Sequence, residues 1–160
     1  MIILGVGDFG ATSKPGEAIK TIGLGSCVAV IMLDPETHTV GMDHVALPDS
    51  SASAERARQK PGHFADTGLP ALLEAMKRSG WNGNTRRLIV KLVGGANVMD
   101  PNGTFNIGKR NVLAIKKILW QHGMGAVAEA VGGQISRTVT VDVDTGRVRI
   151  STPGREEMEI

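Results

Sequence analysis

The chain has 160 residues, 41% hydrophobic and 21% charged, with a formal net charge of +2. That length suits one domain spanning residues 1–160 with a real hydrophobic core, and the balance is that of an ordinary globular protein. A lone cysteine, Cys27, excludes an internal disulfide framework and makes a reducing cytoplasm the expected compartment.

The longest apolar run, Cys27 to Leu33, is far short of the roughly 20 residues a membrane span needs, so no membrane insertion is expected. Before its apolar residues "MIILGVGDFG" has no basic flank, which makes it a first strand rather than a secretory signal. The cations come as scattered pairs, Lys77-Arg78, Arg86-Arg87, Lys109-Arg110 and Lys116-Lys117, and aromatics are only 3%. A nucleic-acid surface gathers charge on one face and adds stacking platforms, so nucleic acid is not an expected partner.

In chain order, residues 2–6 read as a short strand, and Ala18 to Ile22 as another after a turn in "SKPGE". Cys27 to Leu33 is a strong strand, and Thr39 to Leu47 alternates well enough to be its hairpin partner across "DPETH". The segment "PDSSASAERARQKPGH" reads as a long polar loop, of the kind that carries function. A helix follows with Asp66 as its N-cap and Pro70 in its first turn, burying Leu69, Leu72, Leu73 and Met76 and stopping at Gly80. Arg87 to Val93 is a strand. A second helix starts at Asn106, carries Val112, Ile115 and Leu119 at helical spacing, and stops at Gly123. Strands follow near Ala126 to Val131, Arg137 to Val143 and Arg147 to Ser151, the last two joined by an Asp144-Thr145-Gly146 turn, before a frayed "REEMEI" tail. About eight strands and two main helices predict an α/β domain with mixed or antiparallel sheets. Regular βαβ alternation is missing, which argues against a doubly wound sheet.

Two glycine motifs are decoys. "GVGDFG" fits a dinucleotide fingerprint, but the helix that must follow is replaced by "ATSKPGE", so the stretch reads as a turn. "TIGLGSC" lacks the Lys and Ser/Thr of a phosphate-binding loop. His38, His44, His63 and His122 show no ligand spacing, so no metal is expected.

The hairpin carries more. A turn centred on Pro35-Glu36 sets Cys27 opposite His44, or one residue from it; directly opposed, a thiol and an imidazole can meet, whereas a one-residue slip puts them on opposite faces. An imidazole beside a thiol can stabilise a thiolate–imidazolium pair, reactive well below the usual thiol pKa of about 8.5. Thr21, with its hydroxyl or its carbonyl, is placed to orient the ring. Gly23, Gly25 and Ser26 let the backbone turn sharply, so that N–H groups near Cys27 can face a developing oxyanion. The bland alternative is a small buried thiol.

Several segments, "TIGLGSCVAV", "MDHVALPDS", "KPGHFADTG", "VGGANVM", "NIGKRN" and "GGQISRTV", come in the order found in the chemoreceptor glutamine deamidase family, CheD, which the chain resembles to about residue 150. The resemblance implies a cytoplasmic enzyme that converts receptor glutamines to glutamates, without metal or organic cofactor, on a sandwich similar to the catalytic domain of the cytotoxic necrotizing factor toxins. It implies Cys27 as nucleophile, His44 as base and Thr21 as third member. Chemoreceptor cytoplasmic helices are the implied substrate, and a CheY-phosphate phosphatase, CheC, is an implied partner in some bacteria. The chain departs from the family pattern at Phe64 and Gly68, where Tyr and Ala are expected. An open groove is expected, rimmed by Pro48 to Gly62, "VGGANVM" and the "NIGKRN" helix start, with packing, through Gly94-Gly95 and Gly132-Gly133, as the primary role of these segments. An adaptor role and receptor methyl-ester cleavage are the alternative functions.

Overall fold

A computed structural model describes residues 1–100 and 102–160. In chain order the strands are β1 (Ile2–Leu4), β2 (Phe9–Thr12), β3 (Ala18–Leu24), β4 (Val28–Asp34) and β5 (Thr39–Val45). Helices α1 (Ala54–Gln59) and α2 (Ala65–Arg78) follow, then β6 (Ile89–Gly94), α3 (Ile107–Gln121), β7 (Ala126–Val131), β8 (Arg137–Asp142), β9 (Val148–Ser151) and β10 (Met158–Glu159). They form two five-stranded sheets, in the orders β1-β3-β8-β9-β10 and β2-β5-β4-β6-β7. Each is mixed: β1 runs parallel to β3 and β6 parallel to β7, while the other pairs are antiparallel. This is the expected α/β domain. No helix among the described residues is long and apolar enough to cross a membrane.

The layering follows from alternation along β4. Val28, Val30 and Met32 join the cluster that meets Leu69, Leu72 and Met76 of α2 and Val112, Ile115 and Leu119 of α3. Ala29, Ile31 and Leu33 point the other way, to Ile19, Leu24, Val139 and Val141 of the first sheet. Covered on both faces, β4 reads as a continuous apolar run, as a central strand must.

Several expectations need correction. Phe9–Thr12, read as a turn, is an edge strand along β5. Gly7 at φ +80° makes the sharp bend that "GVGDFG" signals, but a strand rather than a loop leaves it. The tail is not frayed: β10 pairs with β9, Arg147 meets Glu159 at 2.6 Å, and Lys91 Nζ donates to the Ile160 carbonyl. Within the predicted polar loop, Ser53 caps α1 by accepting the Arg56 N–H. The N-cap of α2 is Phe64, not Asp66; the Asp66 carboxylate instead holds Ser50 through its N–H and hydroxyl. Ten strands and three α-helices are therefore present among the described residues.

One buried charge shapes the helix layer. Asp43 of β5 is fully buried, and neither carboxylate oxygen has a hydrogen-bond partner among the described residues. Burial pushes its pKa well up. A Cβ added to Gly62 would lie 2.8 Å from Asp43 Oδ1, and one added to Gly68 would collide with Oδ2. Gly68, one of the two departures from the family pattern, thus makes room for this carboxyl. Gly68→Ala should cost about 1–3 kcal/mol by overpacking, and much less in an Asp43→Ala background. Because the folded pKa is raised, the penalty is absent below the unfolded value and grows as pH rises. Thermal stability of the wild type should therefore fall from about pH 4 towards neutrality more steeply than that of Asp43→Asn.

Candidate functional site

The site lies where the two sheets meet at the start of β4. Cys27 immediately precedes that strand, is half-buried, and packs against the cluster between the sheets. In the β4–β5 ladder Val28 faces Val45 and Ala29 faces His44, so Cys27 sits two residues further along the pairing than His44. The expected register is displaced because the turn occupies four residues, 35–38, rather than centring on Pro35-Glu36. Asp34 builds that turn, accepting the Glu36 N–H and the Thr37 hydroxyl, and His38 closes it at φ +56°. A displacement of two preserves side-chain parity. Cys27 and His44 remain on the face between the sheets, as diagonal neighbours within reach of long side chains.

His44 is 2% exposed and Thr21, on the facing sheet, is fully buried. Thr21 Oγ1 lies 2.6 Å from His44 Nδ1 and 2.8 Å from the carbonyl of Leu4, its partner in the parallel β1–β3 pair. A hydroxyl has one hydrogen, and a carbonyl can only accept. The Thr21 hydroxyl therefore donates to Leu4 and accepts from the imidazole, which places the ring hydrogen on Nδ1. Nε2 keeps a bare lone pair, and it has no hydrogen-bond partner among the described residues. The Thr21–His44 contact thus runs through the hydroxyl rather than the carbonyl, and no hydrogen bond from Cys27 reaches Nε2. Asp8 adds to the setting: the His44 N–H donates to the Asp8 carbonyl, and the Asp8 carboxylate holds Lys60 Nζ at 3.0 Å.

Burial sets the protonation states. It pushes the Cys27 thiol up and His44 down to about 4, the nearby Asp8 charge only partly opposing the latter. Both shifts favour a thiol and a neutral imidazole at neutral pH over the thiolate–imidazolium pair expected from sequence. A neutral pair works by general-base chemistry: the bare Nε2 takes the thiol proton as sulfur attacks.

The turn before Cys27 is held from behind. The carbonyls of Gly25, Ser26 and Cys27 accept from Ala96 N–H, Asn111 Nδ2 and Gly95 N–H respectively. In a trans peptide C=O and N–H point in opposite directions, so the N–H groups of Ser26 and Cys27 are aimed away from those anchors. They are the candidate oxyanion donors. Gly23 does not join them: at φ +70° it supports a bulge in β3, but its N–H donates to Thr138 Oγ1. A cleft of about 180 Å³ opens beside Ser26, between Ala96–Asp100 and Phe105–Ile107. Its rim includes Met99, 94% exposed, and Phe105, 65% exposed. "VGGANVM" and "NIGKRN" thus border the cleft as expected, while Pro48 to Gly62 contributes no residue to its lining.

One contributor was missed. Asn111 of α3, fully buried, donates from Nδ2 to both the Ser26 and Ala46 carbonyls at 3.0 Å. Its signal is visible in the sequence, since it falls on the helical stripe of Gly108, Val112, Ile115 and Leu119 as the one amide among apolar or small residues. Of the other histidines, His38 lies in the β4–β5 turn and His122 at the end of α3, whereas His63, just before α2, accepts from the Ala46 and Leu47 N–H groups beyond His44 and its charge helps to lower the His44 pKa.

The arrangement sets a thiol and a base on one sheet face next to two backbone N–H groups; Ser26 lines the cleft, whereas neither Cys27 nor His44 does. A family model described as CheD chemotactic sensory transduction matches residues 46–152. That match begins just beyond His44, and the relatives extend the likeness through Thr21 and Cys27. A probable chemoreceptor glutamine deamidase CheD of Syntrophotalea carbinolica is 54% identical over 159 residues, covering 99% of this chain and 98% of its own. One of the same name from Solibacter usitatus is 44% identical over 156 residues, covering 98% and 91%. The chemoreceptor glutamine deamidase CheD of Thermotoga maritima is 40% identical over 159 residues, covering 99% and 96%. The chain belongs to the CheD family.

The resting protonation state can be tested by alkylation. Iodoacetamide should modify Cys27 slowly at neutral pH, with a midpoint above the ordinary thiol value of about 8.5. A midpoint near 6 would show that an ion pair pre-exists. His44→Ala should leave the midpoint high, because burial rather than the imidazole sets it.

Proposed function

We propose that the chain is a protein-glutamine deamidase acting on chemoreceptors in the cytoplasm, with Cys27 as nucleophile. The Thr21–His44 hydrogen bond carries the reading, because it leaves a bare Nε2 on the same sheet face as the sole thiol. The names of the relatives supply the substrate class. In the proposed reaction His44 Nε2 takes the thiol proton as Cys27 Sγ attacks the glutamine side-chain carbon. The C=O electron pair moves onto oxygen, towards the N–H groups of Ser26 and Cys27. His44 then gives its proton to nitrogen, the C–N bond breaks, ammonia leaves, and a γ-glutamyl thioester remains. Water, deprotonated by His44, adds to the thioester; the C–S bond breaks, glutamate is released, and the proton on His44 returns to sulfur.

The target glutamine sits on a folded helix, and an open cleft edged by Met99 and Phe105 suits such a convex substrate. The same apolar rim offers an anchor for a helix of a CheC-type phosphatase, which would then compete with receptors. The likeness of the sandwich to the catalytic domain of the cytotoxic necrotizing factor toxins belongs to the same proposal.

Incubation with a chemoreceptor cytoplasmic domain, followed by peptide mass analysis, tests the reading. Deamidation adds about one dalton to a glutamine peptide, whereas methyl-ester cleavage removes a methyl group. Cys27→Ala should abolish the change and His44→Ala nearly so. Thr21→Ala, which frees Nδ1 from its acceptor, should cost about 10- to 100-fold. The acid limb of kcat/KM should lie near the His44 pKa of about 4, not at the free value of 6.5. Deamidation by folded Cys27→Ala would refute the proposal.

A further inference from the structure

Asn111 makes two hydrogen bonds that no packing argument requires. It projects from α3 into the gap where β4 and β5 separate, beyond the last ladder pair, Val28–Val45. There Nδ2 spans the carbonyl of Ser26, just before the nucleophile, and that of Ala46, two residues past the base. Two carbonyls cannot bond each other, so only a donor inserted between them can tie these chain segments together. The amide keeps this place at a cost: Asn111 Oδ1 is buried without a partner among the described residues. An apolar side chain on that stripe would avoid such a cost.

The two bonds act differently. The bond to Ala46 braces the strand that carries His44. The bond to Ser26 fixes the plane of the Ser26–Cys27 peptide, whose other polar group is the Cys27 N–H. Rotation of that plane would swing the N–H off its target and move the adjoining Cα of Cys27. Gly95 permits α3 to approach this closely: its carbonyl packs against Gly108, and a Cβ on Gly95 would lie 2.7 Å from Val112.

We infer that Asn111 is a positioning residue for the proposed reaction, holding the Ser26–Cys27 peptide so that its N–H faces the oxyanion while bracing Cys27 against the His44 strand. The inference rests on the deamidase reading for its catalytic part. Its structural part stands alone, because an unpinned turn would admit water to the half-buried thiol.

The test compares Asn111→Ala and Asn111→Ser with wild type and Cys27→Ala in the full chain, on a receptor cytoplasmic domain. In folded Asn111→Ala, kcat should fall by about 100-fold, with KM within about twofold, since a displaced donor harms the transition state more than binding. The acid limb of the pH profile should stay with His44. The alkylation midpoint of Cys27 should drop towards that of an ordinary thiol as water enters. Asn111→Ser, whose short hydroxyl can serve at most one carbonyl, should show the same signs more weakly and covers the case in which the alanine variant unfolds. A kcat within about twofold of wild type, or a loss confined to KM, would overturn the catalytic role. An unmoved alkylation midpoint would overturn the inference even in a wild-type protein that deamidates nothing. An inactive wild type with a lowered midpoint in the variant would sink the deamidase reading and leave the bracing role standing.

Discussion

A single hydroxyl hydrogen, that of Thr21, settles the chemistry of the interface between the two sheets. Three groups meet in an otherwise apolar layer: the Leu4 carbonyl, the Thr21 hydroxyl and the His44 ring. The carbonyl must accept, so the hydroxyl gives it its only hydrogen and the imidazole must supply the next. This directional chain crosses from β1 through β3 to β5 and leaves one unshared lone pair, on Nε2. Such a chain is satisfied in only one tautomer, and desolvation makes the wrong one costly. The packing of sheet on sheet thereby becomes a means of choosing which nitrogen is basic.

The same desolvation explains why the pair rests neutral. A thiolate and an imidazolium each lose hydration in this layer, and their attraction must first repay that loss. Here burial moves both groups towards their uncharged forms. Reactivity is then deferred until an electrophile arrives, when proton transfer and attack can occur together. A resting neutral thiol is also less open to oxidation, because the thiolate is the reactive species.

How much of this was legible in the sequence depended on whether the deciding interaction was local. The facing of Cys27 and His44 followed from side-chain period, and it survived a turn of different length because the displacement was even. An odd displacement would have put them on opposite faces. The core faces of α2 and α3 also followed from period. Phe9–Thr12 escaped because an edge strand so rich in small residues carries no alternation of its own and is defined by its partner β5. Met158–Glu159 escaped likewise: two residues cannot announce a strand, and pairing to β9 makes them one. Asp66 looks like an N-cap, but local preference yielded to Ser50, which reaches it from a distant turn. Thr21 could be nominated but not assigned, since choosing between hydroxyl and carbonyl needs the position of Leu4 across the sheet.

Asp43 and Asn111 are two buried polar residues that burial alone does not justify, and they flank the site from the helix side. Asp43 adjoins His44 in β5 but faces the helix layer; its carboxyl has no partner and is accommodated by two glycines. Asn111 has two partners and one orphaned oxygen. Their costs differ in kind. The Asp43 penalty is electrostatic and varies with pH, and no bond is gained in exchange among the described residues. The Asn111 penalty is the fixed loss of one acceptor, exchanged for control over the peptide that carries the nucleophile. The glycines around them follow the same division. Gly68 answers the volume of the Asp43 carboxyl, whereas Gly95 and Gly108 bring α3 close enough for a short amide to reach Ser26. A fold of this size has few kilocalories to spare, so polar groups retained in its core mark where geometry was held against stability.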